Sequence, residues 1–385
     1  MAPQLVNVGY LVPAGRAGMN GYKRRAEHAK KAGVRLLQVP TTAKNRKKLL
    51  RNSPLDARWW NGSHMEESTV MLPRVFYDRT SVWRASIRTN RFIKTLRETG
   101  VHFINDRDLR KFAMDKWLQY KLLRPAGIAI PHSTQYSLKN CLSFVRRYPL
   151  VFVKKRNGTQ GSGQLIIKRR GKGFVLRDVK VSYRQKSVTK NFRGETGLIR
   201  YLSRLDLSNY IVQRGVKVER LDEEHPRVYD FRVIMQRDGR GVIRLTLAYI
   251  RVSAPNSLQS NMHRSGHAQD IESVFIDAEA MYKQLKRVGT AVMEAIAETF
   301  EVGELGIDFV RDENGKLWLL EVNSRPGSKG IQQLREWVPK DRDFVRDGWL
   351  VFENDTFTNT RRRKWGKRFT TYMRRPYRYA RFLAQ

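Results

Sequence analysis

The spacing of apolar and polar positions divides this chain into strand-like and helix-like stretches that predict an α/β fold built from α+β lobes. Residues 5–12 and 34–39 read as strands flanking a basic helical stretch at 20–32, an order that predicts parallel pairing. Residues 72–79, LPRVFYDR, form a short apolar strand whose polar end, Tyr77, Asp78 and Arg79, marks a place for a binding crevice. A helix is predicted from an N-cap at Asn105 or Asp106 to Pro125, with Phe112, Trp117, Tyr120 and Leu123 on its apolar face and Lys116 along it. Strands at 150–155 and 164–168 flank a loop at 157–163, NGTQGSG. Two more strands, 229–236 and 242–252, surround the turn RDGRG and put Arg232 and Arg251 at opposite ends of their ladder. From 277 to 300, Met281, Leu285, Val288, Val292, Ile296 and Phe300 recur at helical spacing, the stripe of a core-facing helix.

The chemistry concentrates at residues 305–327, LGIDFVRDENGKLWLLEVNSRPG. DENG is a hairpin turn, so Asp308 folds back toward Glu321, while Glu321 and Asn323 share one strand face and Val322 points to the other. Two carboxylates and an amide oxygen suit a hard cation such as Mg²⁺, which takes few protein ligands and completes its shell with phosphates and water. A nucleotide is the natural partner of such a site. The same residues would also serve as plain polar positions on a solvated strand, and the hairpin alone leaves both readings open. In the loop at 157–163, three glycines let backbone N–H groups surround phosphate oxygens, with Lys154 at the strand end as a point charge; a plain glycine-rich connection looks the same. Strand 210–216, YIVQRGV, runs into a break where exposed backbone groups can read a purine.

At 385 residues with 41% apolar and 10% aromatic content, the chain is long enough for two or three domains with real cores. The divisions fall at 1–100, 101–209, 210–340 and 341–385. Cys141 is the single cysteine, which excludes an intrachain disulfide and a cysteine-rich zinc site and reads as a structural thiol. His263 and His267 read as polar-loop residues, since no cysteine or third histidine accompanies them. No apolar run reaches the roughly 18 residues that span a bilayer, and the first residues lack the basic region of a signal peptide, so a cytoplasmic location is favoured. The formal charge of +39 points to an anionic polymer or acidic surface, nucleic acid being the less favoured choice, or to a general preference for arginine on solvated faces. From near Asn359 the chain is a basic aromatic tail without one acid. Its Trp365, Phe369 and Tyr372 line one helical face, fit for a membrane surface, nucleic acid, a partner groove or the chain's own core.

Taken in order, the motifs VFYDR, VFVKKRNGTQGSG, YIVQRG, DFRVIMQRDG, ELGID and WLLEVNSRPG resemble the ATP-grasp enzymes, and among them the spore-coat-associated YheC/YheD group, over about residues 70–335. The resemblance implies an N-terminal pre-ATP-grasp domain followed by two lobes that hold ATP between them. It implies that Lys116 and Lys154 contact the phosphates and that the loop Gly158 to Gly163, with Gln160, Gly161 and Ser162, closes over them. Gln213, Arg214, Gly215 and Val216 would hold the adenine and Glu219 the ribose. Arg232 would stabilise the transferring phosphoryl group, with Lys154 and Arg325 as further catalytic candidates, and Asp308, Glu321 and Asn323 would bind two Mg²⁺ ions. The substrate side would take Asp78, Arg79, Arg251, His263, Arg264, Ser328 and Lys329. Lys155 stands where a proline is common in the family, and Arg214 where acidic or amide residues are frequent. The implied reaction joins a small-molecule or peptide carboxylate to an amine through an acyl phosphate. A kinase acting on a polyanionic small molecule and a non-catalytic spore-coat or polyanion-binding protein are the alternatives, and a spore location follows from the same resemblance.

Overall fold

Among the described residues, three six-stranded sheets follow one another along the chain. The computed structural model describes residues 5–13, 19–80, 86–158, 163–179, 187–221, 227–253, 267–327, 329–336 and 355–385.

The first sheet is built from β1 (Val6–Val12), α1 (Met19–Lys30), β2 (Val34–Pro40), α2 (Ala43–Leu50), β3 (Leu55–Trp60), β4 (Met65–Val70), β5 (Val75–Asp78), α3 (Ile87–Arg97) and β6 (His102–Phe103). Its order is β4-β3-β2-β1-β5-β6, and β2, β1, β5 and β6 run parallel, in line with the crossover expected between β1 and β2. Helix α1 covers one face through Tyr22, Ala26 and Ala29, and α3 the other through Phe92, Ile93 and Leu96. The order therefore reverses between β1 and β5. The antiparallel hairpin β3–β4 on the edge has no strong alternation in sequence and is not among the strands expected from it. The segment GRAG at 15–18, a turn by its sequence, lies outside the described residues.

A single helix was the expectation for 106–124; the structure has two, α4 (Arg107–Met114) and α5 (Lys116–Leu123). Asp106 caps the first by accepting from Leu109 N. Asp115 breaks the run: its backbone is extended and its carboxylate accepts from Trp117 N and Leu118 N, capping the second helix. Lys116 is thus the first residue of α5 rather than a mid-helix position.

The second sheet comprises β7 (Ser133–Gln135), β8 (Leu150–Lys155), β9 (Gln164–Arg170), β10 (Gly173–Val179), β11 (Val188–Phe192) and β12 (Tyr210–Arg214), with helices α6 (Leu138–Arg147) and α7 (Glu195–Leu202). It is antiparallel throughout, in the order β11-β10-β9-β8-β12-β7. Val151, Val153, Leu165, Ile167 and Val212 pack against Cys141, Phe144 and Leu198 on one face. Burial pushes the Cys141 thiol up to about 12, as suits a structural residue. The intervening positions of β8 and β12, among them Lys154 and Gln213, face the other way.

The third sheet holds β13 (Arg220–Leu221), β14 (Arg227–Arg237), β15 (Ile243–Val252), β16 (His267–Gln269), β17 (Glu304–Arg311) and β18 (Leu317–Asn323), with β14 at its centre. His267 opens a strand here and is not the loop residue expected. Helix α8 (Ala278–Ala297) lies under one face, burying Met281, Leu285, Val292 and Ile296 against Phe231, Val233, Ile250 and Ile307. Gly289 permits this approach, since a Cβ there would fall 2.9 Å from Met235 Sδ.

Two last helices, α9 (Lys329–Glu336) and α10 (Asp355–Ala384), cover part of the opposite face. The aromatic stripe of the tail is not open to a membrane, nucleic acid or a partner. Trp365, Phe369, Tyr372 and Met373 pack on Ile234, Leu247, Tyr249 and Leu334 of the third unit. One turn beyond, Tyr377 and Ala380 join Val8, Tyr22 and Ala29 of the first. Trp365 also donates Nε1–H to Asp270 Oδ2 at 2.7 Å, and Lys364 and Arg368 reach Glu272 beside it. Among the described residues no helix is long and apolar enough to cross a membrane.

Candidate functional site

The hairpin β17–β18 is in the register its sequence suggests, with Asp308 opposite Glu321 and Gly306 opposite Asn323. One detail departs from simple alternation. Leu317 and Leu319 point into the core, and a regular strand would send Glu321 after them. The pairing instead shifts between Asp308 and Phe309, leaving Leu320 as an extra residue on β18. This bulge reverses the phase, so Val322 takes the core position and Glu321 and Asn323 turn to the other face. The doublet Leu319-Leu320 is the sequence signal of it.

Asp308 is held from β14 and β15. Arg232, opposite it in the ladder, donates Nε–H to Oδ1 at 2.5 Å and Nη2–H to Oδ2 at 3.0 Å. Arg251 reaches the same Oδ2 at 2.8 Å and clips Asp230 Oδ1 at 2.5 Å. The two arginines are therefore close neighbours sharing one carboxylate, not the opposite ends of a ladder; Asp230 pairs with Arg251 and Arg232 with Tyr249 across the strands. Burial alone would raise the Asp308 carboxyl, and the two guanidiniums overcome it, keeping it ionised below the usual carboxylate range.

Lys116 joins this hairpin to the glycine loop. Its ammonium donates to Gly158 O and lies 3.6 Å from Glu321 Oε2, while Asn323 Nδ2 donates to Glu321 Oε1 at 3.3 Å. Lys154 Nζ donates to Gln213 Oε1 at 2.7 Å, and Gln213 in turn donates to Ser133 Oγ. Burial, and then Lys116 nearby, draw the Lys154 ammonium down to about 8, with Glu321 pulling the other way.

Residues outside the expected site hold these groups in place. Asp115 accepts from Arg156 Nη2 at 2.6 Å, and Lys116 N donates to Arg156 O, so the start of α5 is fastened to the end of β8. Gln119, buried one turn after Lys116, donates to Val322 O and accepts from Val322 N. It grips the backbone between Glu321 and Asn323. Asn105 donates to Ser324 O at 2.7 Å and to Glu304 O at 2.8 Å, and accepts from Gly303 N and Glu304 N. All are polar side chains within otherwise ordinary helix or strand-end sequence, and only their buried placement distinguishes them.

Other candidates are placed differently from one another. Arg214 turns its guanidinium over the Trp318 ring at 4.5 Å, and its backbone N–H donates to His132 O. Gly215 N donates to Leu150 O, and a Cβ at Gly215 would strike the Leu150 side chain. Val216 follows in the same connection, and Glu219 accepts from Tyr229 Oη and Arg311 Nη1, both at 2.8 Å. Gly163, with φ of 64°, closes the loop onto Val179 O. Asp78 is buried, with its carboxylate on Arg107, Arg110 and Thr80. Arg79 donates to Tyr77 Oη and lies 3.3 Å from Glu304, and Arg325 donates to Thr80 O at 3.1 Å. Gln160, Gly161, Ser162, His263, Arg264 and Ser328 lie outside the described residues, as does the side chain of Lys329 at the start of α9.

Asp308, Glu321 and Asn323 offer hard oxygen donors on one face. Among the described residues no group of three or more His, Cys, Asp or Glu gathers. The set fits a divalent cation that takes most of its ligands from phosphates and water.

A family model described as YheC/D like ATP-grasp matches residues 100–341. The chain belongs to that family. The endospore coat-associated protein YheD of Bacillus subtilis is 25% identical over 277 residues, covering 68% of this chain and 58% of YheD, so the match spans well under two thirds of that relative. A probable alpha-L-glutamate ligase of Maridesulfovibrio salexigens is 24% identical over 281 residues, 71% of this chain and 74% of the ligase. The solved ADP complex of PurK, an N5-carboxyaminoimidazole ribonucleotide synthetase, superposes with a TM-score of 0.51 at 12% identity over 87% of this chain and 75% of that one, a likeness of fold. Lys154, on the second sheet, and Glu321, on the third beside Asp308 and Asn323, are brought together at Lys116.

Proposed function

We propose that this ATP-grasp protein is an ATP-dependent carboxylate–amine ligase. The observation that carries the reading is Lys116, whose one ammonium touches the glycine loop at Gly158 and stands beside Glu321. Three segments far apart in sequence meet there, in the arrangement a triphosphate and its counter-ion require. Lys116, Lys154 and the glycine loop bind phosphates, the Gln213 to Val216 connection takes the adenine and Glu219 the ribose. Asp308, Glu321 and Asn323 would hold Mg²⁺, which would neutralise phosphate charge. The substrate carboxylate attacks the γ-phosphorus, the bond to the ADP oxygen breaks, and an acyl phosphate forms. An amine then attacks the acyl carbon, expels inorganic phosphate and loses a proton to leave the amide. Arg232 stabilises the charge on the phosphoryl group in flight, and Arg79, Arg251 and Arg325 face the substrate. The glutamate ligase among the relatives supports an amino-acid or peptide substrate, and the YheD relative supports a spore-coat location.

Incubated with Mg-ATP, hydroxylamine and a panel of acidic amino acids and peptides, the protein is expected to release ADP and form a hydroxamate. A phosphorylated alcohol in place of the hydroxamate would instead identify a kinase, and neither product with any acid would remove the enzymatic reading.

The Lys154 ammonium gives the nucleotide step a pH dependence. In the free protein it carries its proton below about pH 8 and loses it above, and bound phosphates favour the protonated form. Affinity for Mg-ADP should therefore be level below pH 8 and fall by up to about tenfold per pH unit above it. Calorimetric titration between pH 7 and 9.5 reads the slope, and Lys154→Met should bind more weakly and without it.

A further inference from the structure

The formal charge of +39 is not spread evenly along the chain. Residues 210–340, which hold the third sheet, contain 19 lysines and arginines against 19 aspartates and glutamates, whereas residues 101–209 contain 24 against 6. A general preference for basic residues would have raised both. The excess belongs to particular surfaces, and one of them can be traced contact by contact.

At the end of the second sheet away from the glycine loop, β9 and β10 turn over at Gly171 and Lys172, leaving Lys168, Arg170 and Lys172 exposed. Arg169 Nη1 donates to Arg146 O at 2.7 Å and ties this hairpin to the last turn of α6. Beside it, Arg124, Arg147 and Arg214 gather around His132, where burial first and then these three guanidiniums hold the imidazole below its usual range. The histidine therefore stays neutral near pH 7. Each of the three guanidiniums lies over an aromatic ring, Arg124 at 5.6 Å from Tyr120, Arg147 at 5.4 Å from Tyr148 and Arg214 at 4.5 Å from Trp318. In this whole group only Arg146 has a carboxylate partner among the described residues, Glu195.

We propose that this end of the second sheet, the β9–β10 hairpin with Arg124 and Arg147 beside it, binds single-stranded nucleic acid. A folded acidic protein would need an apolar centre to its contact, and among the described residues of α6 and the hairpin no large apolar side chain is exposed. A flexible polyanion needs none, because released counter-ions supply its affinity. Guanidiniums already laid on aromatic rings present flat faces on which bases stack, and their forks match phosphate oxygens; the carboxylates of an acidic polypeptide would use the charge and leave the planes idle. The surface is independent of the ligase reading.

Fluorescence anisotropy on the full chain, with a labelled oligouridylate of about 20 nucleotides as probe, tests it. The native protein should bind, with an affinity that falls steeply between roughly 50 and 200 mM salt. Lys168→Gln combined with Arg170→Gln and Lys172→Gln should lower the affinity about tenfold or more and flatten the slope of log K against log salt by about 2, the share of three phosphate contacts. Arg147→Lys keeps the charge and loses the plane, and should weaken binding about threefold or more. As a control, Arg88→Gln combined with Arg91→Gln and Lys94→Gln removes three exposed cations from α3 and should leave binding within about twofold. All these variants should melt and bind Mg-ADP as the native protein does. The proposal is overturned if no binding is seen at low salt, if the hairpin variant binds unchanged, or if the α3 variant loses as much, which would mean bulk charge alone. It is overturned also if poly-glutamate competes as well as unlabelled oligouridylate of equal charge, which would make this a surface for acidic polypeptides. Failure of the hydroxamate assay would leave it standing.

Discussion

Arg232→Ala lowers the rate of ADP formation by about 10²–10³, the loss typical of removing one well-placed stabiliser of transition-state charge. Arg232, itself largely buried, is paired through two bonds with the almost completely buried Asp308, its partner across the ladder. The guanidinium is therefore aimed before any ligand arrives. Loss of the fork also leaves Asp308 with Arg251 alone, and breaking a buried pair usually costs about 3–5 kcal/mol. Arg251, at 2.8 Å from the same carboxylate, limits that cost. Two measurements separate the effects. Melting curves report the stability cost, and initial rates taken well below the melt report the chemistry. Arg232→Lys should restore much of the stability but little of the rate, because an ammonium keeps the charge and loses the planar fork. A folded Arg232→Ala protein that still turns over within tenfold of the native rate would remove Arg232 from the phosphoryl step.

Trp365→Ala destabilises the protein by about 3–5 kcal/mol, in the range for emptying a buried aromatic site. That is a large part of the roughly 5–15 kcal/mol by which folded domains exceed their unfolded states. The indole is fully buried among Ile234, Leu247, Tyr249 and Leu334, and its N–H is the donor to a buried Asp270 carboxylate. Removing it opens a cavity and takes a partner from Asp270 together, and these costs add. Burial and the adjacent Glu272 push Asp270 up to about 6 already, so a substitution that deprives it of a donor falls on a sensitive group. Chemical denaturation with tryptophan-independent detection, such as circular dichroism, measures the change. A loss below about 1 kcal/mol would mean that α10 rests on its surroundings without being part of their core.

Much of the fold and the candidate site could be read from residues alone, where the signal was local. The hairpin turn DENG specified that Asp308 would meet Glu321, and the apolar stripe of α8 identified a core helix without reference to anything else. What stayed hidden depended on contacts made at a distance. Asp115 is an ordinary helix-interior position until Arg156, from the next lobe, is present to share its carboxylate. Gln119 and Asn105 act on backbone groups some two hundred residues away. The neighbourhood of Arg232 and Arg251 depends on how β14 and β15 pair, with an irregularity between Ile234 and Met235 that shifts the count of residues from the turn. The tail shows the same limit from the other side. A stripe of Trp365, Phe369 and Tyr372 between arginines is equally good for a surface and a core, and only the presence of the two units it covers decides between them.

Helix α10 also sets an order of events at birth. Arg381, near its end, donates to Ala32 O across 349 positions, and Tyr377 fills the core beside β1. The first sheet leaves the ribosome early and waits with that apolar patch uncovered until the last thirty residues follow. Contacts of such sequence separation form late and expose the nascent chain to misassembly meanwhile. A molecule interrupted in translation before α10 would hold every residue proposed to bind ATP and yet lack the helix that covers the first sheet.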